Sequence, residues 1–166
     1  MENLELLHFR RSVRSFTQKT ISKQDLEKIV DAARFASTAR NVQPWEFVVI
    51  TEKSLLTKLA SLAENGKFMA QAAAGVAVFC VETKYYLEDG CAATCNILLA
   101  ATALGIGSCW IAGDKKDYCQ EVNSLLNAPL GMKLISLVAL GYPQDQDAFK
   151  IMEKRSVQEL IHWERF

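Results

Sequence analysis

"STARNVQPWEFVVI", residues 37–50, passes from small and polar residues through a proline into an apolar run. Upstream, Ser22-Lys-Gln-Asp25 has the spacing of a capping box. Leu26, Ile29, Val30 and Ala33 follow at helical intervals, which predicts a helix ending near Ser37. Downstream, "EFVVI", 46–50, predicts a buried strand. The residues between form a loop at a sheet edge. Ser37, Thr38 and Ala39 are small enough for a flat ring to lie against their backbone. Asn41 and Gln43 bring amide donors and acceptors. Gln43 precedes Pro44, which biases it toward an extended conformation. Trp45 reads as a core anchor, whereas Asn41 reads as a ligand contact.

Further along, Leu55, Leu56, Leu59 and Leu62 predict a helix over 53–64, stopped by Asn65-Gly66. "GVAVFCVE", 75–82, predicts a second strand. A long helix is expected from Glu88 or Asp89 to about Leu104, rich in alanine and ended by Gly105 and Gly107. A short strand is expected around 107–112 and a helix over 117–127, closed by Asn127-Ala-Pro129. "KLISLVAL", 133–140, is almost uniformly apolar, which predicts a central strand. Ser156-Val-Gln-Glu159 repeats the capping-box spacing and opens a short last helix. Helices and strands interleave, so the class is α/β or α+β with a sheet under helices. Residues 1–166 read as one domain, with no repeat, linker or low-complexity tract.

Lys and Arg together number 19 and so do Asp and Glu, giving no excess charge for nucleic acid or an anionic membrane. "MENLELLHFRRS" meets charges too early for a signal peptide. The apolar stretch 91–110 carries Thr94, Asn96 and Thr102, which favours a buried helix over a membrane span. A cytoplasmic protein is expected. Cysteines stand at 80, 91, 95, 109 and 119 and read as reduced thiols. Cys91 and Cys95 lie one turn apart, but no paired CxxC or nearby histidine completes a metal site, so none is expected.

Three further stretches carry chemistry. In "FRRSVRSF", 9–16, an extended backbone puts Arg10, Ser12 and Arg14 on one side, where two guanidinium groups and a hydroxyl can hold a phosphate. The same stretch also suits a solvated basic turn. In "GIGSCWIAGD", 105–114, glycines flank a strand, and an exposed N–H near Ala112 or Gly113 can donate to a ligand. Two turns around a short strand would read the same way. In "KRSVQEL", 154–160, Lys154 and Arg155 precede a capped helix start, where cations suit a nearby anion better than the helix itself.

In this order, "RRSVRSF", "STARNVQPWEFVVI", "AATALGIGSCWIAG" and "LVALGYP" with a basic pair and "HWERF" resemble the motifs of the nitroreductase family, FMN-dependent oxidoreductases. The resemblance covers essentially the whole chain. It implies an α+β nitroreductase-like fold: a mixed, mostly antiparallel sheet flanked by helices, in an intertwined homodimer with FMN at the interface. It assigns the FMN phosphate to Arg10, Ser12 and Arg14, assisted by Lys154 or Arg155. Arg11 would contribute through its backbone or touch the polar edge of the flavin. Ser37, Thr38, Ala39 and Asn41 would line the flavin, often from the second subunit. Ala112 and Gly113 match the loop whose backbone N–H meets flavin N5. The alanine-rich helix would form the dimer core. The segment 66–89 is short, which implies a minimal lid, and Arg40 inside the flavin loop would favour anionic substrates or a reduced anionic flavin.

The resemblance further implies NADH or NADPH as a transient donor and a small-molecule acceptor: a nitroaromatic, quinone, activated alkene or free flavin. Ping-pong kinetics follow, with no obligate side-chain acid or nucleophile and bound water as proton donor. An FMN store or sensor with little turnover, a reductive dehalogenase-like relative, and a phosphate-binding or interaction domain without flavin are the competing readings.

Overall fold

In the computed structural model, which describes residues 4–145 and 147–166, the apolar run of 133–140 lies at the centre, as its two-sided hydrophobicity requires. It belongs to strand β4 (Met132–Gly141), flanked by β2 (Ala74–Val81) and β3 (Gly107–Ala112). Strand β1 (Trp45–Ile50) pairs outside β2, giving the order β1-β2-β4-β3. Every pairing among these strands is antiparallel. The only parallel element among the described residues is an isolated bridge between Ser12 and Ser108 at the β3 edge. Against β2, β4 carries one extra residue, Ile135, at a register shift, and such a bulge bends the strand locally.

Strand side chains alternate between faces, so the sheet divides two cores. Ala77 and Phe79 of β2 join Leu137 and Ala139 of β4 beneath α3 (Lys53–Leu62) and α5 (Cys119–Leu125). Val76, Val78 and Cys80 join Val138 and Leu140 beneath α2 (Lys23–Ala33) and α4 (Tyr86–Ala103). A short helix, α1 (Glu5–Phe9), which periodicity did not predict, precedes them. Ser22 caps α2, its Oγ accepting from the Asp25 N–H at 3.1 Å, while the Asp25 carboxylate takes the Ser22 hydroxyl proton at 2.8 Å.

Several expected boundaries shift. Helix α2 stops at Ala33 rather than near Ser37, because Phe35 and Ala36 bond back to Ala32 and Ala33 in tighter, three-residue steps. Helix α3 ends at Leu62, where Ala63 turns extended, and a 3₁₀ segment runs from Glu64 to Gln71. Helix α5 is shorter than 117–127, and Asn127 takes a left-handed φ of 52°. The last helix is a single 3₁₀ turn, Val157–Glu159, with the Ser156 N–H donating to Glu159 Oε2 at 3.0 Å. Strand β1 is only half-buried, because it is an edge strand. No helix among the described residues is long and apolar enough to cross a membrane, and the first three residues of "MENLELLHFRRS" lie outside the described residues.

Candidate functional site

Residues 10–17 run beside β3 and are fixed there by backbone pairing. The Val13 N–H donates to the Ser108 carbonyl at 2.9 Å, and the Thr17 N–H donates to that of Tyr142 at 2.9 Å. Val13 and Phe16 are the buried anchors. Two glycines make room for them: a Cβ on Gly107 would meet the Val13 side chain at 2.9 Å, and one on Gly141 would meet the Phe16 ring at 2.7 Å.

Around these anchors the segment runs extended along the β3 edge. Ser12 is bridged to Ser108, the neighbour of Cys109 on β3, and Arg14 lines a cavity with Cys109 and donates through Nη1 to the Ser12 carbonyl at 3.4 Å. Burial pushes the Cys109 thiol up, and the nearby positive charges of Arg14 and Arg10 oppose it. Arg11 lines a neighbouring hollow together with Ser12, Arg14 and Lys150. Its Nε donates to the Lys150 carbonyl at 2.7 Å, tying the N-terminal segment to the start of the C-terminal one.

A cavity of about 650 Å³ opens beside this cluster, with Arg14, Asn65, Phe68, Cys109, Ala112 and Tyr118 among its walls. The Arg14 guanidinium stands 5.8 Å from the centre of the Phe68 ring. Asn65 and Phe68 escaped the sequence reading, which used Asn65-Gly66 only as a helix stop. That turn is pressed onto β3: a Cβ on Gly66 would lie 3.1 Å from Ile111. An amide beside a glycine in a turn was the available signal, and only the tertiary contact gives it meaning. A larger groove of about 770 Å³ runs between α2 and β1, lined by none of the predicted residues, so size alone does not mark the site.

At the end of β3 the two expected backbone donors part. The Gly113 N–H donates to the Ile135 carbonyl at 3.0 Å. In antiparallel pairing the next residue faces the other way, so Ala112, opposite Ser136, turns its N–H to the open edge of the sheet. Its carbonyl accepts from the Tyr118 hydroxyl. Gly113 is required sterically, since a Cβ there would lie 2.5 Å from the Ile135 carbonyl carbon and oxygen.

The 37–43 loop lies elsewhere, at the start of α4. Thr38 Oγ1 donates to Asp89 Oδ2 at 2.9 Å, and the Ala39 N–H donates to Asp89 Oδ1 at 3.3 Å. The Gln43 N–H donates to Thr38 Oγ1 at 3.2 Å. Arg40, Asn41 and Gln43 have φ of 55°, 57° and 51°. The extended bias expected of Gln43 before Pro44 is therefore overridden by these loop contacts. Ser37, Arg40 and Asn41 are exposed, and Trp45 is buried as expected. Ser37, Thr38, Ala39 and Asn41 are absent from the walls of the Arg14 cavity. Lys154 and Arg155 are exposed and absent from them as well. The Arg155 charge is answered locally: Nη2 donates to the Glu159 carbonyl at 3.2 Å, and Nε lies 3.9 Å from its carboxylate.

Among the described residues no group of three or more His, Cys, Asp or Glu side chains could hold a metal ion.

Comparison with known proteins places these features in context. The model of the Nitroreductase family matches residues 7–88 and 81–142. A protein of Archaeoglobus fulgidus described as "Putative NADH dehydrogenase/NAD(P)H nitroreductase" is 35% identical, covering 99% of both chains. The "NADPH-flavin oxidoreductase" of Vibrio harveyi is 26% identical over 89% of this chain and 68% of its own. A crystal structure from Bacteroides thetaiotaomicron, with the same description as the first, superposes with a TM-score of 0.91 at 26% identity, covering 98% and 97% of the two chains.

Proposed function

Because the chain belongs to the nitroreductase family, we propose that it binds FMN and carries reducing equivalents from NADH or NADPH to a small acceptor such as a nitroaromatic, a quinone or an activated alkene. The observation that carries this reading is the cavity that Arg14 shares with Cys109 and Ala112 of β3, with Ser12 of the same segment bridged to Ser108 beside it.

The residues present fit the cofactor. Arg10 and Arg14 are permanent cations whose planar donors match a phosphate, and the Ser12 hydroxyl adds a further donor. Ala112 offers an N–H with no strand partner, suited to a ring nitrogen. Phe68 supplies an apolar wall and Asn65 an amide for a polar ring edge. FMN held there would supply the redox chemistry, hydride transfer between NAD(P)H and the acceptor. The chain's own part is to hold the phosphate by charge, orient the ring by the Ala112 amide, and keep water away with Phe68 and Tyr118. Donor and acceptor use the same open face in turn, which gives ping-pong kinetics. No side chain serves as nucleophile, and water supplies the acceptor's proton.

Ser37, Thr38, Ala39 and Asn41 stand outside this cavity, and we assign them to the cofactor of a second copy in a homodimer. The exposed apolar side chains of the C-terminal arm, Ile151, Met152, Leu160, Ile161 and Trp163, support that assembly. Lys154 and Arg155 lie on the same arm, and their part in holding the phosphate is exerted within the dimer.

The test is the visible spectrum after FMN is added and the protein desalted. Retained oxidised-flavin bands, lost in the Arg10→Ala/Arg14→Ala variant, are expected. So is steady-state NAD(P)H consumption with menadione. A protein that retains no flavin and shows none by fluorescence titration overturns the reading; retained flavin without turnover reduces it to storage or sensing.

A further inference from the structure

Asp89 is a carboxylate with 5% of its surface exposed, and no cation pairs with it among the described residues. Burying a charge without a counterion is costly unless donors surround it. Asp89 sits in the first turn of α4, where the helix end favours a negative charge. Its two oxygens are satisfied by one loop: Oδ2 by the Thr38 hydroxyl and Oδ1 by the Ala39 N–H.

That loop needs holding. Three of its residues, Arg40, Asn41 and Gln43, occupy the left-handed region without being glycine. That region is costly for Arg40 and Gln43 and tolerated by Asn41, and such a conformation persists only where surrounding contacts impose it. Thr38 is the link that carries the restraint onward, because its Oγ1 gives its proton to Asp89 and accepts the Gln43 N–H. The chain Asp89–Thr38–Gln43 thus closes the loop at both ends of its strained stretch.

We propose that Asp89 is the positioning residue that holds the 37–43 loop in the conformation that leaves Asn41 exposed. Its bearing on the cofactor rests on the proposed flavin function; its hold on the loop does not. Asp89 touches no reacting atom and acts only through Thr38 and Ala39. Loss of its charge frees the loop to relax toward the extended form that Gln43 would otherwise take before Pro44.

The experiment is limited trypsin digestion of the full chain under native conditions, with cleavage after Arg40 followed by mass spectrometry, since cleavage in a folded protein reports local opening. Arg40 is exposed, so only the loop's shape protects its peptide bond. Asp89→Asn and Thr38→Val are each expected to raise cleavage after Arg40 about tenfold or more, as loss of a charge-assisted hydrogen bond implies, with other sites cut as in the parent. Thr38→Ser, which keeps the hydroxyl, is expected to stay protected. Should Asp89→Asn fail to fold, Thr38→Val tests the same link. Equal acceleration at every site, or no acceleration after Arg40, overturns the proposal. A parallel FMN fluorescence titration separates the two readings. An unprotected loop with unchanged FMN affinity detaches Asp89 from the cofactor. A parent protein that binds no FMN removes the flavin function while leaving the loop result intact.

Discussion

Cys80, on β2, packs against Gly90 of α4, and Cys109, on β3, lines a cavity with Arg14; both are buried, whereas Cys95 faces outward from α4. Burial, reinforced by the charges of Asp89 and Cys91, pushes the Cys80 thiol up to about 12. Burial also raises Cys91, Cys109 and Cys119. Only thiolates attack disulfide reagents, so a native sample at pH 8 is expected to release one equivalent promptly with Ellman's reagent, from Cys95, and the rest only on unfolding. The same shift fixes a pH dependence. Between its ordinary value of 9.0 and about 12, the native Cys80 keeps a proton that the unfolded chain has released. The native state then binds more protons, and stability falls as pH rises. The thermal midpoint is therefore expected to decline above pH 9, and less steeply in Cys80→Ala; prompt labelling of Cys80 at pH 8 contradicts this account. At this scale the sequence was most legible where apolar character decides. Alternation puts Val13 and Phe16 apart only imperfectly, yet their apolar character marks them as the buried residues of 9–16, as they are. Gln43 was not legible, because a local bias before proline was outweighed by a hydroxyl five residues back and a carboxylate on another helix. Nor was the division between Ala112 and Gly113, which depends on the pairing phase of β3 against β4.

Helix α4 approaches the sheet through Gly90, and two opposed effects decide what an alanine would do there. In a helix interior alanine is favoured over glycine by about 1 kcal/mol. A Cβ at Gly90, however, would lie 2.6 Å from Ile135 Cγ1 and 2.9 Å from Cys80 Sγ. Ile135 is β-branched and stiff, and it is the bulged residue of β4, so it has little freedom to retreat. Overpacking of this kind costs about 1–3 kcal/mol. Gly90→Ala is expected to lose up to about 2 kcal/mol by chemical denaturation; a gain would mean that α4 can slide. The contact sits one turn from Tyr86, whose hydroxyl donates to Asp114 at 3.1 Å, so slippage would also disturb the end of β3. The elements themselves were largely legible. Strand β3 falls on 107–112, and β4 is central as its apolar run demands. The edge position of β1 was hidden, since an apolar run has the same appearance at an edge as inside a sheet. The early ends of α2 and α5 were hidden too, because apolar spacing continues past the residue at which the backbone turns.

Across the whole molecule, positive and negative side chains balance at 19 each, so long-range charge neither drives nor prevents association. Apolar surface is distributed differently. Residues 150–166 are all exposed, and within them Trp163 shows 79% of its surface and Ile161 44%. Such side chains are hydrated at a cost that association with another copy removes. The two halves of the expected site point the same way: the Arg14 cavity and the 37–43 loop do not meet within one chain, and a second copy can supply what the first lacks. If so, dimerisation and cofactor retention are one event. Aromatic anchors at interfaces often contribute 2 kcal/mol or more, so Ile161→Asp/Trp163→Asp is expected to weaken association by roughly thirtyfold or more. Sedimentation equilibrium at micromolar concentration is expected to find dimers of the parent and monomers of the variant. FMN retention is expected to fall with the dimer, although neither residue lines the cavity. A monomeric variant that keeps its flavin would place the whole cofactor site within one chain and return the 37–43 loop to a purely structural role.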